Sequence, residues 1–213
     1  MTFTLSSAEC RALGVLIEKE MATPEYYPMS LNAVKNACNQ KSNRDPVMEL
    51  SEEEVETALS DLEDKKLAGG ETGSRVVKYA HRLGEMFNLP GSQLALLGVL
   101  LLRGSQTAGE LRARTQSLHA FEDSASVELA LGKLAEREMA VQLPRQPGSR
   151  EPRWMHVLSG PVDAAMLAAT ARHEEPARSG LAERVEKLEI EVAELRSQLL
   201  EIREATLDRL ERG

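Results

Sequence analysis

Aromatic side chains are scarce in this chain of 213 residues: Phe, Tyr and Trp together make up 3%. Apolar residues still reach 42%, so a globular core is expected, and it must be aliphatic, built from Leu, Val, Ala and Met. Cysteine is nearly missing as well. Cys10 and Cys38 are the two thiols, both on apolar faces of expected helices. That is too few for a disulfide framework and points to a reduced, cytoplasmic protein with both thiols as buried spectators. No apolar run is long. Leu94 to Leu102 is an uninterrupted stretch, far short of the ~20 residues a membrane helix needs, so no membrane partner is expected. The opening residues MTFTLSSAECR show no basic segment ahead of an apolar run, so no secretory signal is expected. Positive charge is in deficit: 26 Lys and Arg against 34 Asp and Glu give a net charge of −8. Phosphate loops, Gly-x-Ser-x-Gly elbows and zinc-spaced Cys and His are all missing, so no catalytic residue, cofactor or metal is expected and the chain is read as a non-enzyme.

What is present is repetition. Val55 to Ala68 reads VETALSDLEDKKLA and Val127 to Ala140 reads VELALGKLAEREMA, a common V-E-x-A-L-x-x-L-x-x-x-x-[LM]-A. GSRVVKYAHRL from Gly73 matches GSREPRWMHVL from Gly148, and Leu13-Gly14-Val15-Leu16 matches Leu97-Gly98-Val99-Leu100. Three matched blocks in one order mean two copies of one small unit.

The blocks have readable periods. Leu13, Leu16 and Ile17 recur at helical spacing behind Ser6-x-x-Glu9, a capping-box pattern, predicting a helix from Ala8 to about Met21. A short helix follows Ser30, and its counterpart follows Thr107 with Glu110 completing a box. The V-E-x-A-L block is the third helix, with Val55, Leu59 and Leu62 on one face and Ser51-x-x-Glu54 as its cap. Val76-Val77-Lys78-Tyr79 and Trp154 to Leu158 are strand-like, punctuated by Gly-Ser turns. Three helices and a hairpin form the winged-helix plan, in which the third helix reads a groove and the hairpin is the wing. The fold class expected is therefore mainly α with small β-hairpins (α+β): two tandem winged-helix domains and a C-terminal coiled-coil helix. The first domain spans 1–87 and the second 88–160.

The first unit is longer by two segments, Thr23 to Pro28 and Asn39 to Pro46, which are tolerated insertions or binding elements. Tyr26 and Tyr27 in the former could anchor a partner or pack an extended loop. The strings Tyr27-Pro28-Met29-Ser30-Leu31-Asn32-Ala33 and Ala37-Cys38-Asn39-Gln40-Lys41-Ser42-Asn43-Arg44-Asp45-Pro46-Val47, with the acidic helix and Gly-Ser-Arg-Val turn after them, resemble the YceH-like family of bacterial proteins over roughly residues 5–160. The resemblance implies tandem winged helices. It implies no established activity and supplies no catalytic residues.

Beyond Leu158 a short helix and linker are expected over 161–180. A heptad then runs through 181–213, with Val185, Val192 and Leu199 at a and Leu188, Leu195 and Ile202 at d. β-Branched a with Leu d favours a parallel homodimer, and Arg184 with Glu189 and Glu191 with Arg196 have the flanking charges it needs. An amphipathic helix packed on its own domains is the alternative.

Charge decides less than the fold does. Glu52, Glu53, Glu54, Glu56, Asp61, Glu63 and Asp64 crowd the third helix of the first unit, a poor surface for a phosphate-walled groove, although acids in the first turn also suit the helix dipole. Basic residues lie on wings, loops and second helices: Lys35, Lys41, Arg44, Arg75 and Lys78 in the first unit, Arg112, Arg114, Arg150 and Arg153 in the second. They would grip phosphates with few base contacts. The leading expectation is a dimeric regulatory protein associated with double-stranded DNA. The alternative is an acidic protein–protein scaffold that does not bind nucleic acid. His81 and His156 hold equivalent places in the two copies and are read as fold residues.

Overall fold

The computed structural model describes residues 3–71, 76–145 and 149–162. Contacts divide the chain into two units, Met1–Val162 and Asp163–Gly213. The heptad residues Val185, Leu188, Val192, Leu195, Leu199 and Ile202, the linker before them and Arg75 lie outside the described residues. The architecture is mixed α+β. Among the described residues it has seven helices, one 3-10 turn and two small antiparallel sheets. No described helix is long and apolar enough to cross a membrane.

Five of the seven described helices start behind a capping side chain. Helix α1, Ser7–Ala22, is closed by Ser6, whose hydroxyl accepts from Glu9 N–H while Glu9 accepts from Ser6 N–H. Ser30 caps α2, Leu31–Cys38, and Ser51 with Glu54 boxes α3, Glu52–Asp64. After the short α4, Leu83–Met86, the order repeats. Helix α5 is Gly91–Arg103, α6 is Ala108–Arg114 with a Thr107–Glu110 box, and α7 is Ser124–Glu136, capped by Asp123. Satisfying these N-terminal amides is worth ~1 kcal/mol a helix, which fixes where each begins.

A ribbon follows each third helix. In the first repeat β2, Ala68–Glu71, pairs with β3, Lys78–His81, and β1, Met29–Ser30, adds to the other edge of β3. In the second, β4, Ala140–Gln142, pairs with β5, Trp154–His156. The place equivalent to β1 is held by one bridge, Gln106 to Trp154, with N–H···O bonds of 2.9 and 2.7 Å. The expected strand at Val76-Val77 begins later. Both valines lie ahead of β3 and are exposed, and the ladder of described residues runs from Lys78 to His81.

The repeats share one core. Leu13, Leu16 and Ile17 of α1 and Leu96, Leu97 and Leu100 of α5 are fully buried in a single apolar cluster with Leu59, Leu62, Leu111, Leu131 and Leu134. The two Leu-Gly-Val-Leu blocks face one another there. A β-carbon on Gly14 would stand 3.1 Å from Leu101 Cβ and 2.9 Å from Leu102 Cγ, and one on Gly98 would stand 2.8 Å from Ile17 Cγ2. Ile17 and Leu101 hold the same place in their repeats, so the contact is reciprocal, as in a two-fold interface between identical chains. Both glycines serve close approach of the helices, and neither sits in a turn.

Candidate functional site

Helix α3 stands proud of this core. Its inner face, Val55, Ala58, Leu59 and Leu62, is buried, which leaves Glu52, Glu53, Glu54, Glu56, Glu63 and Asp64 exposed. Hydrogen bonds from the Ser51 backbone and hydroxyl hold the Glu54 carboxyl below the usual carboxylate range. Between α1 and α3 runs a groove of about 370 Å³ walled by Glu53, Glu54 and Asp61 and floored by Ser6, Ala8, Thr57 and Ala58. The equivalent face of α7 is different. Glu128, Leu129 and Lys133 are exposed there, with Leu129 at 65%.

The structure sorts the basic residues expected to contact phosphate into two groups. Arg44 is buried at 5% exposure. Its Nε donates to Ala37 O at 3.0 Å, and its terminal nitrogens reach Glu18 at 2.7 Å, Gln40 Oε1 at 3.0 Å and Asn43 O at 2.9 Å. Lys35 pairs with Glu52 at 2.9 Å. Arg114 donates to Gln106 Oε1 at 2.6 Å. Arg153 donates to Ser105 O at 2.8 Å and pairs with Glu110 at 3.0 Å. Those four have partners within the fold, Lys35 at its surface. Arg112 is exposed but donates to Glu122 O at 2.7 Å, bracing the segment ahead of α7. Lys41, Lys78 and Arg150 are exposed, and they lie on a loop and on two ribbons.

The Asn39 to Pro46 insertion is a strap. Asn39 closes its base by accepting from Leu50 N–H and donating to Leu50 O, both at 2.8 Å. Buried Arg11 of α1 donates to Cys38 O at 2.8 Å and to Pro46 O at 2.5 Å. The far end of the loop crosses to the second repeat, where Asp45 N–H donates to Leu102 O at 2.9 Å and Arg103 donates to Asn43 Oδ1. Arg11 and Arg103 carry no motif, so no sequence signal marks their part in this strap.

The other long segment, with a 3-10 turn at Pro24–Tyr26, splits its tyrosines. Tyr26 is 76% exposed, while the Tyr27 hydroxyl accepts from His81 N–H at 2.6 Å. His81 and His156 are both buried. His81 Nε2 lies 2.6 Å from Glu20, whereas burial pushes the His156 imidazole down to about 4. Burial also raises the thiols, Cys10 to about 11 and Cys38 to about 12, so both stay protonated and unreactive at neutral pH. Among the described residues no group of His, Cys, Asp and Glu could hold a metal.

Residues 5–149 match the family described as "Protein of unknown function, DUF480". A UPF0502 protein of Solibacter usitatus is 50% identical over 197 residues, covering 92% of this chain and 95% of that one. One from Geobacter sulfurreducens is 49% identical over 201 residues, 92% and 91% of the two chains. The UPF0502 protein YceH of Salmonella paratyphi B is 45% identical over 209 residues, 93% of this chain and 96% of that one. The chain belongs to this uncharacterised bacterial family.

Proposed function

We propose that the chain is a pair of winged helices, α1–α3 with β2–β3 and α5–α7 with β4–β5, acting as an acidic protein–protein module and not as an enzyme. The outward face of α3 carries this reading. In a winged helix that face would meet a DNA groove, and here it presents Glu53, Glu56 and Glu63 to solvent. Like charge against phosphate costs affinity, whereas a basic protein surface would be attracted and steered to it. The engagement of Arg44 and Arg153 in internal hydrogen bonds supports the same reading. A parallel homodimer through Val185, Leu188, Val192, Leu195, Leu199 and Ile202 belongs to the proposal and would present each face twice.

The second reading, a DNA-associated regulator, draws on Lys78 and Arg150. They are exposed on equivalent ribbons, where wings reach phosphates. A labelled duplex titrated across a salt series separates the two. The first reading expects no saturable binding at low salt, and expects partners crosslinked in cells to be lost from the Glu53→Lys, Glu56→Lys double variant. Duplex binding with a steep negative salt slope, weakened by Lys78→Ala with Arg150→Ala, would instead establish the regulator.

A further inference from the structure

The strap encloses a second feature. A cavity of about 200 Å³ lies between the 39–50 loop and helices α5 and α6, lined by Asn43, Arg44, Asp45, Arg103 and Arg114. A smaller one of about 110 Å³ shares Asn43, Arg103 and Arg114 and extends to Ser117. We propose that this recess binds a small oxyanion of the phosphate class, gripped by the guanidinium groups of Arg103 and Arg114.

The hydrogen-bond inventory argues for it. Arg44 is saturated and balanced by Glu18, so it contributes shape more than charge. Arg103 is different. Among the described residues it donates to Asn43 Oδ1 alone, which leaves most of its five N–H groups unused in a half-buried setting. Arg114 spends one nitrogen on Gln106 Oε1, and its nearest carboxylate, Glu110, is 3.8 Å away and also serves Arg153 and the α6 cap. Two cations therefore face one recess whose described walls hold two acids, Asp45 and Glu18, and Glu18 is already paired with Arg44. Their mutual presence is felt: burial first, then Arg114 and Arg44, pull the Arg103 guanidinium below its usual range, against the opposing pull of Glu18 and Asp45. Planar guanidinium forks suit tetrahedral oxyanions, and an anion would relieve this repulsion. The volume suits a small ligand. Drug-sized pockets run from roughly 300 Å³ upward, so the recess itself suits inorganic phosphate or the phosphate end of a small metabolite. The ligand would bridge the two repeats where Asp45 N–H meets Leu102 O, tightening the strap. This holds under either reading of function.

Isothermal titration of the full chain with inorganic phosphate, against chloride at matched ionic strength, tests it. One saturable site per chain is expected. Affinity should fall about tenfold or more in Arg103→Gln and in Arg114→Gln, as expected for loss of a charged partner. It should rise in Asp45→Asn, a gain that misfolding cannot imitate, and hold in Arg150→Ala. No saturable site, wild-type affinity in Arg103→Gln, or no tightening in Asp45→Asn overturns the proposal. So does a short duplex that displaces phosphate in an Arg103-dependent way, which would make the recess a nucleic-acid contact.

Discussion

Gly14 and Gly132 are both helical glycines, and their surroundings ask opposite things of them. Gly132 of α7 has nothing within 4 Å of an added β-carbon, so Gly132→Ala should stabilise by up to ~1 kcal/mol through helix propensity and a less flexible unfolded chain. At Gly14 the same methyl would meet Leu102 Cγ, Leu102 Cδ2 and Leu101 Cβ at 2.9–3.1 Å, two of them near the backbone and all on buried side chains. Overpacking should outweigh propensity there and give a net loss of ~1–3 kcal/mol. Urea midpoints of the two variants check this, and a shift of the same sign in both would refute it. His156 makes a pH prediction. Its folded value of about 4 lies below the ordinary 6.5, so the unfolded chain takes up a proton first. Stability from this residue is complete above about pH 6.5 and drains away as pH falls towards 4, by an amount on the order of 3 kcal/mol. Denaturation midpoints measured across that window should fall less steeply in His156→Gln. An unchanged slope would show that carboxylates elsewhere set the acid limit.

At the scale of elements, helix starts were legible because caps are chemical and local: Ser6, Ser30, Ser51 and Thr107 each stand three residues ahead of the amide they satisfy. Short strands were less legible. Met29–Ser30 and the lone Gln106 bridge have no period to detect, and Val76 and Val77 have strand-forming side chains but lie ahead of β3. The strap was legible only as an insertion, since its role depends on Arg11 and Arg103, both remote from it in sequence. The repeat did extend to a detail of geometry. Lys66 and Glu138, at equivalent ends of α3 and α7, take φ of 59° and 57°, and the next amides, Leu67 and Met139, turn back to Leu62 O and Leu134 O. Such left-handed helix ends favour glycine, and other residues pay roughly 1 kcal/mol for them. Lys66→Gly and Glu138→Gly should therefore each raise the urea midpoint. A loss of stability in both would mean that the side chains contribute more than the backbone strain costs.

Residues 3–162 read as two repeats in sequence and, where described, as one core in space. Charge segregates by repeat, with residues 1–85 holding 10 basic and 15 acidic side chains and 86–160 holding 8 and 7. Yet the reciprocal packing of Gly14 on Leu101 and Gly98 on Ile17 gives neither repeat an apolar face of its own to lose. Separating them would expose Ile17, Leu101 and Leu102, all buried where the two helices meet, at roughly 1.5–3 kcal/mol for each side chain. That exceeds what a small three-helix unit has to spare. The two repeats should therefore unfold together. The chain carries its own reporters: Tyr26, Tyr27 and Tyr79 are its three tyrosines, all in the first repeat, and Trp154, its single tryptophan, is buried in the second. Urea unfolding followed by tyrosine absorbance and by tryptophan emission should give one coincident midpoint, the mark of a two-state transition. Gly98→Val, which pushes into Ile17 across the seam, should lower both midpoints equally. Two separated midpoints, or a shift confined to Trp154, would mean that the repeats fold independently and that the α1–α5 contact is a docking surface.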